Sequence, residues 1–252
     1  MKHKGWKQNS VDDRDNLYGV HRLTGTAGVV TLPEEIDLSS YVYEVFHQGQ
    51  TSSCVGHALA QAIRIRQTQL LSKIVEKPSP LFIYALARQN ESALDRDEGC
   101  MPRSALKALM KLGFCSERCW PLKQETLFTM PSATAFQDAY DHRFVGGYYN
   151  LLGNSTQSRA QQIRIALYYG YPVVFGMQVD EAFEDYTGGI SARPTSELLG
   201  GHMMCLVGYG PGYFRGVNSW GENWGENGFF RITEDIASWK LASDFTAIQT
   251  VQ

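Results

Sequence analysis

Along the chain, apolar positions recur first with a helical period and later with a strand period. Val55, Ala58, Leu59, Ala62 and Ile63 fall at offsets of three, four, seven and eight, with His57, Gln61 and Arg64 on the opposite face. This predicts an amphipathic helix with Cys54 at its N-terminus. A second helix is predicted to open at Pro102, run through Leu106, Leu109 and Met110, and stop at Gly113. A third opens at Ser158, where Gln161 completes a capping box, and ends at Gly170 ahead of Pro172. Beyond Pro172 the texture changes to strands, at 173–179, 203–209, 213–220 and 228–232. Gly210, Pro211 and Gly212 join two of them, so a hairpin is predicted with its midpoint near residue 210. His202 and Asn218 are equidistant from that midpoint and are expected to stand nearly opposite each other. Residues 1–36 carry no sustained period, with Gly and Thr around Thr24–Gly28, and read as an N-terminal arm ordered by docking. No internal repeat or low-complexity tract is present.

Composition narrows the class without naming a function. The 252 residues are 43% hydrophobic and 19% charged, with 24 glycines and 9 prolines, which fits an ordinary globular protein with a real core. A formal net charge of −3 leaves no basic excess for phosphates, so no nucleic-acid partner is expected. No stretch reaches the roughly 20 apolar residues of a membrane span, so no membrane partner is expected. The polar N-terminus lacks the pattern of a secretory signal, and a cytoplasmic protein, or one delivered by the producing cell or virus, is expected. Five cysteines (Cys54, Cys100, Cys115, Cys119, Cys205) are odd in number, which excludes a full disulfide framework and fits a reducing compartment. Cys115 and Cys119 are four apart with no matching second pair, so neither a metal nor another cofactor is expected.

The candidate chemistry starts from a thiol at a helix N-terminus. A cysteine attacks a carbonyl only as thiolate, and both the helix terminus and a neighbouring imidazolium lower its pKa. His202 supplies the imidazole, and Asn218, predicted across the hairpin, supplies an oxygen to orient it. Cys54, His202 and Asn218 are therefore candidate nucleophile, base and orienter.

Three blocks, QGQTSSCVGHALA at 48–60, GGHMMCLVGYG at 200–210 and NSWGENWGENGFFRI at 218–232, resemble the signature blocks of papain-family cysteine peptidases. Weaker similarity runs from about Leu32 to the C-terminus, including PSPLFIYALAR at 78–88, MPRSALKALMKLG at 101–113 and YPVVFGM at 171–177. The resemblance implies an α+β, papain-like two-lobed fold: the arm, a mainly helical lobe over 37–125, and a β-rich, barrel-like lobe over 126–252, with the active site in the cleft between. It implies that Cys54 is the nucleophile, His202 the base and later acid, and Asn218 the orienting amide. Gln48 corresponds to the oxyanion-hole glutamine, and Trp220 to the indole shielding the His–Asn hydrogen bond. The chain looks most like the bacterial and viral branch, whose members often lack the long prosegment, and an arm this short implies no zymogen. The family usually carries Cys-Gly-Ser-Cys-Trp where this chain has Thr51, Ser52, Ser53, Cys54 and Val55, so the usual disulfide partner is missing. Gly99 and Cys100 stand where the family commonly has Gly-Gly for binding the substrate backbone, and Cys100 is expected to narrow the cleft. Gly201 replaces a side chain that in many members contacts the ion pair, which is expected to shift the activity optimum.

The expected activity is thus peptide-bond hydrolysis by a cysteine endopeptidase, acting on a protein or peptide substrate through a Cys54 thioester. Alternatives are acyl transfer to an amine by the same thioester, and a non-catalytic module, such as a phage particle component or effector, that retains the fold. His57 is expected on the outward helix face and His47 in a loop. Trp224, Phe229 and Phe230 are read as core packing, and Cys115, Cys119 and Cys205 as structural thiols. The acidic residues Asp95, Asp97 and Glu98 are read as a solvated surface. The oligomeric state is not legible. The arm is expected to lie in or near the cleft, from its length and mixed polarity.

Overall fold

The helical period at Cys54 is realised as the 18-residue helix α1 (Cys54–Leu71) in a computed structural model that describes residues 2, 4–12, 31–153 and 157–250. The arm segment Thr24–Gly28 lies outside the described residues. The outward face expected for α1 is not outward: His57, Gln61 and Arg64 are all buried. The reason is tertiary, because α1 packs against a sheet strand on one side and helix α2 (Pro80–Asn90) on another. Two of the three polar side chains are paired there, and the Gln61 amide has no partner among the described residues. His57 Nδ1 lies 3.0 Å from the Ser53 carbonyl, and Arg64 donates to Glu44 at 2.8 Å and to the Val75 carbonyl at 3.2 Å.

Helix α2 has Pro80 in its first turn and the Ser79 hydroxyl accepting from Phe82 N–H at 3.0 Å, a terminus built as the capping rules require. Helix α3 (Pro102–Leu112) ends at Gly113, as expected, and packs on both α2 and α4 (Ala133–Asp141). Helix α5 (Arg159–Tyr168) carries the Ser158–Gln161 capping box that its sequence announced. The short α6 (Glu181–Glu184) is capped by the Asp180 carboxylate.

Eight strands form one sheet: β1 (Ile36–Asp37), β2 (Val145–Asn150), β3 (Val173–Asp180), β4 (Ile190–Ser191), β5 (Leu198–Gly210), β6 (Tyr213–Val217), β7 (Phe229–Thr233) and β8 (Ala242–Thr250). Their order is β2-β8-β3-β5-β6-β7-β4, with β1 also paired to β5. Four helices precede the main run of strands, with α5 and α6 inserted among them, so the fold is α+β, as expected.

The β5–β6 hairpin turns at Pro211–Gly212, with Gly210 paired to Tyr213, so its centre lies beyond residue 210. A bulge between Leu206 and Gly208 then shifts the register by one, and Cys205 pairs with Val217. Extended past Val217, this ladder sets Asn218 against Met204, not His202. The expected direct pairing is corrected to a diagonal one, still within side-chain reach because His202 and Met204 share a face.

The loop after α2 is held from inside by Arg88, whose residue surface is fully buried. Its guanidinium lies 4.0 Å from the Tyr84 ring centroid and donates to the carbonyls of Leu94 (3.1 Å), Arg96 (2.9 Å) and Leu127. Leucine at this position fills part of the volume and leaves three carbonyls short of a donor. At about 1–3 kcal/mol for each group left unsatisfied, Arg88→Leu is expected to destabilise the fold by roughly 3 kcal/mol or more. Urea unfolding reads this as a lowered midpoint with an unchanged slope.

Candidate active site

The turn that delivers Cys54 is tied down on three sides. Gln48 N–H donates to the Ser219 carbonyl at 2.9 Å, and Ser219 Oγ donates back to Gln48 Oε1 at 2.7 Å. Gln48 Nε2 donates to the Thr51 carbonyl at 2.7 Å, so the amide's orientation is set by both of its ends. Ser52 N–H donates to both oxygens of Asp97, at 3.0 and 3.1 Å. Tyr84 O–H donates to Asp97 at 2.6 Å and accepts from Gly99 N–H at 3.0 Å. One carboxylate thus links the turn before the nucleophile to the Gly99–Cys100 segment. Asp97 is therefore an anchor, not the solvated surface expected of it, whereas Asp95 and Glu98 are exposed. A lone acid in a charged run carries no sequence signal for this role.

His202 projects from β5 with its Nε2 2.7 Å from Asn218 Oδ1. The same oxygen accepts Ser219 N–H at 2.7 Å, which identifies it as the acceptor end of the amide. His202 Nε2 must then carry the proton, and in the neutral ring Nδ1 is the basic nitrogen. Nδ1 has no hydrogen-bond partner among the described residues. Trp220 stacks on the imidazole, with centroids 4.4 Å apart and planes at 22°. Cys54 lies against this strand, close enough for the backbone of Met203, the residue after His202, to act on the thiol's ionisation.

The other cleft residues are brought together by the chain's own N-terminus. Gly5 and Trp6 N–H both donate to the Gly201 carbonyl, at 3.1 and 3.0 Å. Cys100 N–H donates to the Gly5 carbonyl at 2.9 Å, and Lys7 N–H to the Cys100 carbonyl at 3.1 Å, a parallel bridge between Trp6 and Cys100. Gly99, at φ +79°, lies so close to Gly5 that a Cβ would collide with its carbonyl. Lys4 pairs with Glu184, and the Trp6 indole donates to Asp244 at 2.8 Å. Asn9 N–H also donates to Asp244, at 3.1 Å, while Asn9 Oδ1 accepts from Arg103 N–H at 2.9 Å. The segment therefore covers Cys54 and fills the strip between Cys100 and Gly201.

Residues 32–248 match the papain family cysteine protease domain. The chain belongs to the papain family of cysteine proteases. It is 34% identical over 236 residues to an uncharacterised peptidase C1-like protein of Acanthamoeba polyphaga mimivirus, covering 88% of this chain and 73% of that one. It is 27% identical to the cathepsin B-like CP3 of Giardia intestinalis, covering 82% and 71% respectively. Among solved structures, xylellain, a cysteine protease from Xylella fastidiosa, superposes with a TM-score of 0.84 at 29% identity, covering 100% of this chain and 99% of that one.

In this papain-family site, burial dominates the electrostatics. Cys54, His202 and Gln48 are at zero exposure. Burial pushes the Cys54 thiol up to about 11, against the opposing hydrogen bonds from the N–H groups of Met203, Gly5, Val55 and Cys54 itself. Burial pushes His202 down to about 4, outweighing the hydrogen bond to Asn218. The covered site therefore holds a neutral thiol and a neutral imidazole, not the ion pair expected from the helix terminus.

His57 is driven down to about 3 by burial and bonds Ser53, which makes it part of the helix core. His47 is exposed, and its Nδ1 accepts Gly49 N–H at 2.9 Å. Trp224 and Phe230 pack with Phe183 beneath Trp220, while Phe229 is half-buried. All five cysteines are free thiols. Two residues escaped the sequence reading, Glu184 and Asp244, because both contact the arm across long sequence separations. Beside Trp220 opens a groove of about 780 Å³ lined by His47, Glu184, Asn223 and Trp224.

Alkylation of Cys54 by iodoacetamide, followed by peptide mass spectrometry, is expected to be slow at pH 7 and to rise toward pH 11. An exposed cysteine would reach half-ionisation near pH 8.5. Trp6→Ala, which removes the arm's anchor, is expected to move the Cys54 midpoint down by at least one unit.

Proposed function

We propose that the chain is a latent cysteine endopeptidase that hydrolyses peptide bonds through a Cys54 thioester once its N-terminal segment leaves the site. The observation that carries this reading is the bond from His202 Nε2 to an Asn218 oxygen already pinned by Ser219 N–H, because it fixes the tautomer that leaves Nδ1 as the base. With the segment displaced, water and substrate reach Cys54, the burial penalty on charge falls, and the proton passes from Cys54 Sγ to His202 Nδ1. The thiolate attacks the substrate carbonyl carbon. The oxyanion is stabilised by the Cys54 N–H and the Gln48 side-chain amide, which the Ser219 and Thr51 bonds hold in orientation. Protonated His202 gives its proton to the leaving amine, and a water deprotonated by the same nitrogen hydrolyses the thioester. Trp220 stacked on the ring keeps competing water from the His–Asn bond.

An epoxide inhibitor of papain-type enzymes provides the test, read by intact mass under reducing conditions. Trp6→Ala is expected to take up one equivalent at least tenfold faster than the unaltered chain, and Cys54→Ala and His202→Ala in that background to take up none at Cys54. Gln48→Ala is expected to keep labelling yet lose about 100- to 1,000-fold in peptide turnover. Cys54 labelling no faster than the other thiols would overturn the reading in favour of a binding module. Products enlarged by an added amine would assign acyl transfer instead of hydrolysis.

A further inference from the structure

Gln61 stands out in the buried part of α1. It is 3% exposed, and neither its amide oxygen nor its amide nitrogen has a hydrogen-bond partner among the described residues. A buried amide in that position gives up its hydration and gains nothing in exchange. Asn218 shows the matching deficit at the other side of the same packing layer. Its oxygen accepts from His202 Nε2 and Ser219 N–H, while its buried Nδ2 has no acceptor among the described residues. Gln48 is held through both ends of its amide, whereas protein atoms hold Asn218 through one. Gln61 and Asn218 both line one small internal cavity, which leaves the centre of a water molecule about 10 Å³. One water needs about that much, together with two or more polar partners. Phe46, Ala58, Met204 and Val217 give the cavity apolar walls, so its polar character comes from residues such as these two amides.

We propose that this cavity is a single-water site, in which the water accepts from Asn218 Nδ2 and donates to Gln61 Oε1, and that Gln61 is thereby a positioning residue for the His202–Asn218 pair. An amide bonded through its oxygen alone can swing about that oxygen. Bonded through both ends, its plane is fixed, and so is the direction in which Oδ1 meets His202 Nε2. The water carries that constraint from α1, the helix that also delivers Cys54, to the residue after β6. Nucleophile and orienting amide are then referred to one rigid element. For its effect on turnover the proposal rests on the peptidase reading above; for the water and the bond geometry it does not.

The test begins with crystals of the full chain, in which density for one water is expected within hydrogen-bond distance of both Asn218 Nδ2 and Gln61 Oε1. Gln61→Met keeps the side-chain length and removes both polar atoms, and Gln61→Glu restores an acceptor oxygen. Proton NMR of the covered chain follows the His202 Nε2–H that bonds Asn218. Its exchange with solvent is expected to be at least about tenfold faster in Gln61→Met and to return toward the unaltered rate in Gln61→Glu. In the Trp6→Ala background, Gln61→Met is expected to lower kcat by at least about threefold and to leave KM within about twofold. A cavity without density, a water bonded to neither amide, or an Nε2–H exchange rate unmoved by Gln61→Met overturns the proposal. Absence of turnover in Trp6→Ala itself overturns the peptidase reading instead, because density and proton exchange are read without catalysis. Where Gln61→Met does not fold, Gln61→Leu takes its place.

Discussion

Everything at the site depends on a helix whose first three turns are buried on all sides. Helix α1 lies between α2 and β5, so its first residue, Cys54, is pressed against the strand that carries His202. A surface helix would fray at that end and leave the thiol's position loose. Here His57 bonds back to Ser53, Asp97 grips Ser52, and Gln48 is clasped by Ser219. The nucleophile's position is therefore set by core packing and its approach by hydrogen bonds from three distant parts of the chain. The cost is a central helix that must satisfy buried polar groups, and Arg64 with Glu44 is one such compensation.

The magnitudes explain why the covered site is quiet. A helix N-terminus contributes about 0.3–1 kcal/mol to a nearby anion, and about 2 kcal/mol in favourable buried geometry. Moving the Cys54 pKa from 9.0 to about 11 corresponds to about 3 kcal/mol against the thiolate. Burial wins, and it wins on both partners, because His202 is pushed the opposite way by the same cause. The strand-like pairing of Gly5 and Trp6 is thus an electrostatic device as much as a steric one: it excludes the solvent that would stabilise a thiolate–imidazolium pair.

Much of this was legible in the chain. The helix start at Ser158 is written in a capping box and that at Pro102 in a proline at the first helical position, whereas the start at Cys54 follows from apolar periodicity and carries no side-chain cap. The papain-family assignment was legible from three short blocks; of the residues they named, His202, Asn218 and Trp220 pack together, and Gln48 bonds Ser219 next to Asn218. What failed was what periodicity cannot carry. The face with His57, Gln61 and Arg64 looked outward because polarity normally marks solvent, yet here it is buried, with His57 bonded to Ser53, Arg64 to Glu44 and Val75, and the Gln61 amide without a partner among the described residues. The hairpin midpoint was displaced because a turn and a bulge each add a residue that alternation does not reveal. Asp97, Glu184 and Asp244 were silent for a related reason: each acts on residues 45 or more positions away.

Sheet order explains why the last strand matters to a site announced by the first helix. Strand β8 inserts between β2 and β3, and β3 lies beside β5, so Asp244, Gly176 and Gly201 lie near one another on three adjacent strands, with Gly201 diagonal to Gly176, which pairs with Met203. Side chains alternate along each strand, so a slip of one residue in any of these pairings would turn Asp244 away or replace Gly176, which lies against the Trp6 ring, with Phe175 or Met177. The bulge at Asp244 removes that ambiguity at β8 by fixing which residue leaves the ladder. The arm is then read by the sheet as any extended peptide would be, its backbone by Cys100 and Gly201 and its one large side chain by Asp244, Gly176 and Gly201. Concealment therefore rests on backbone pairing at Cys100 and Gly201 together with one buried indole, so displacing the arm must break both at once.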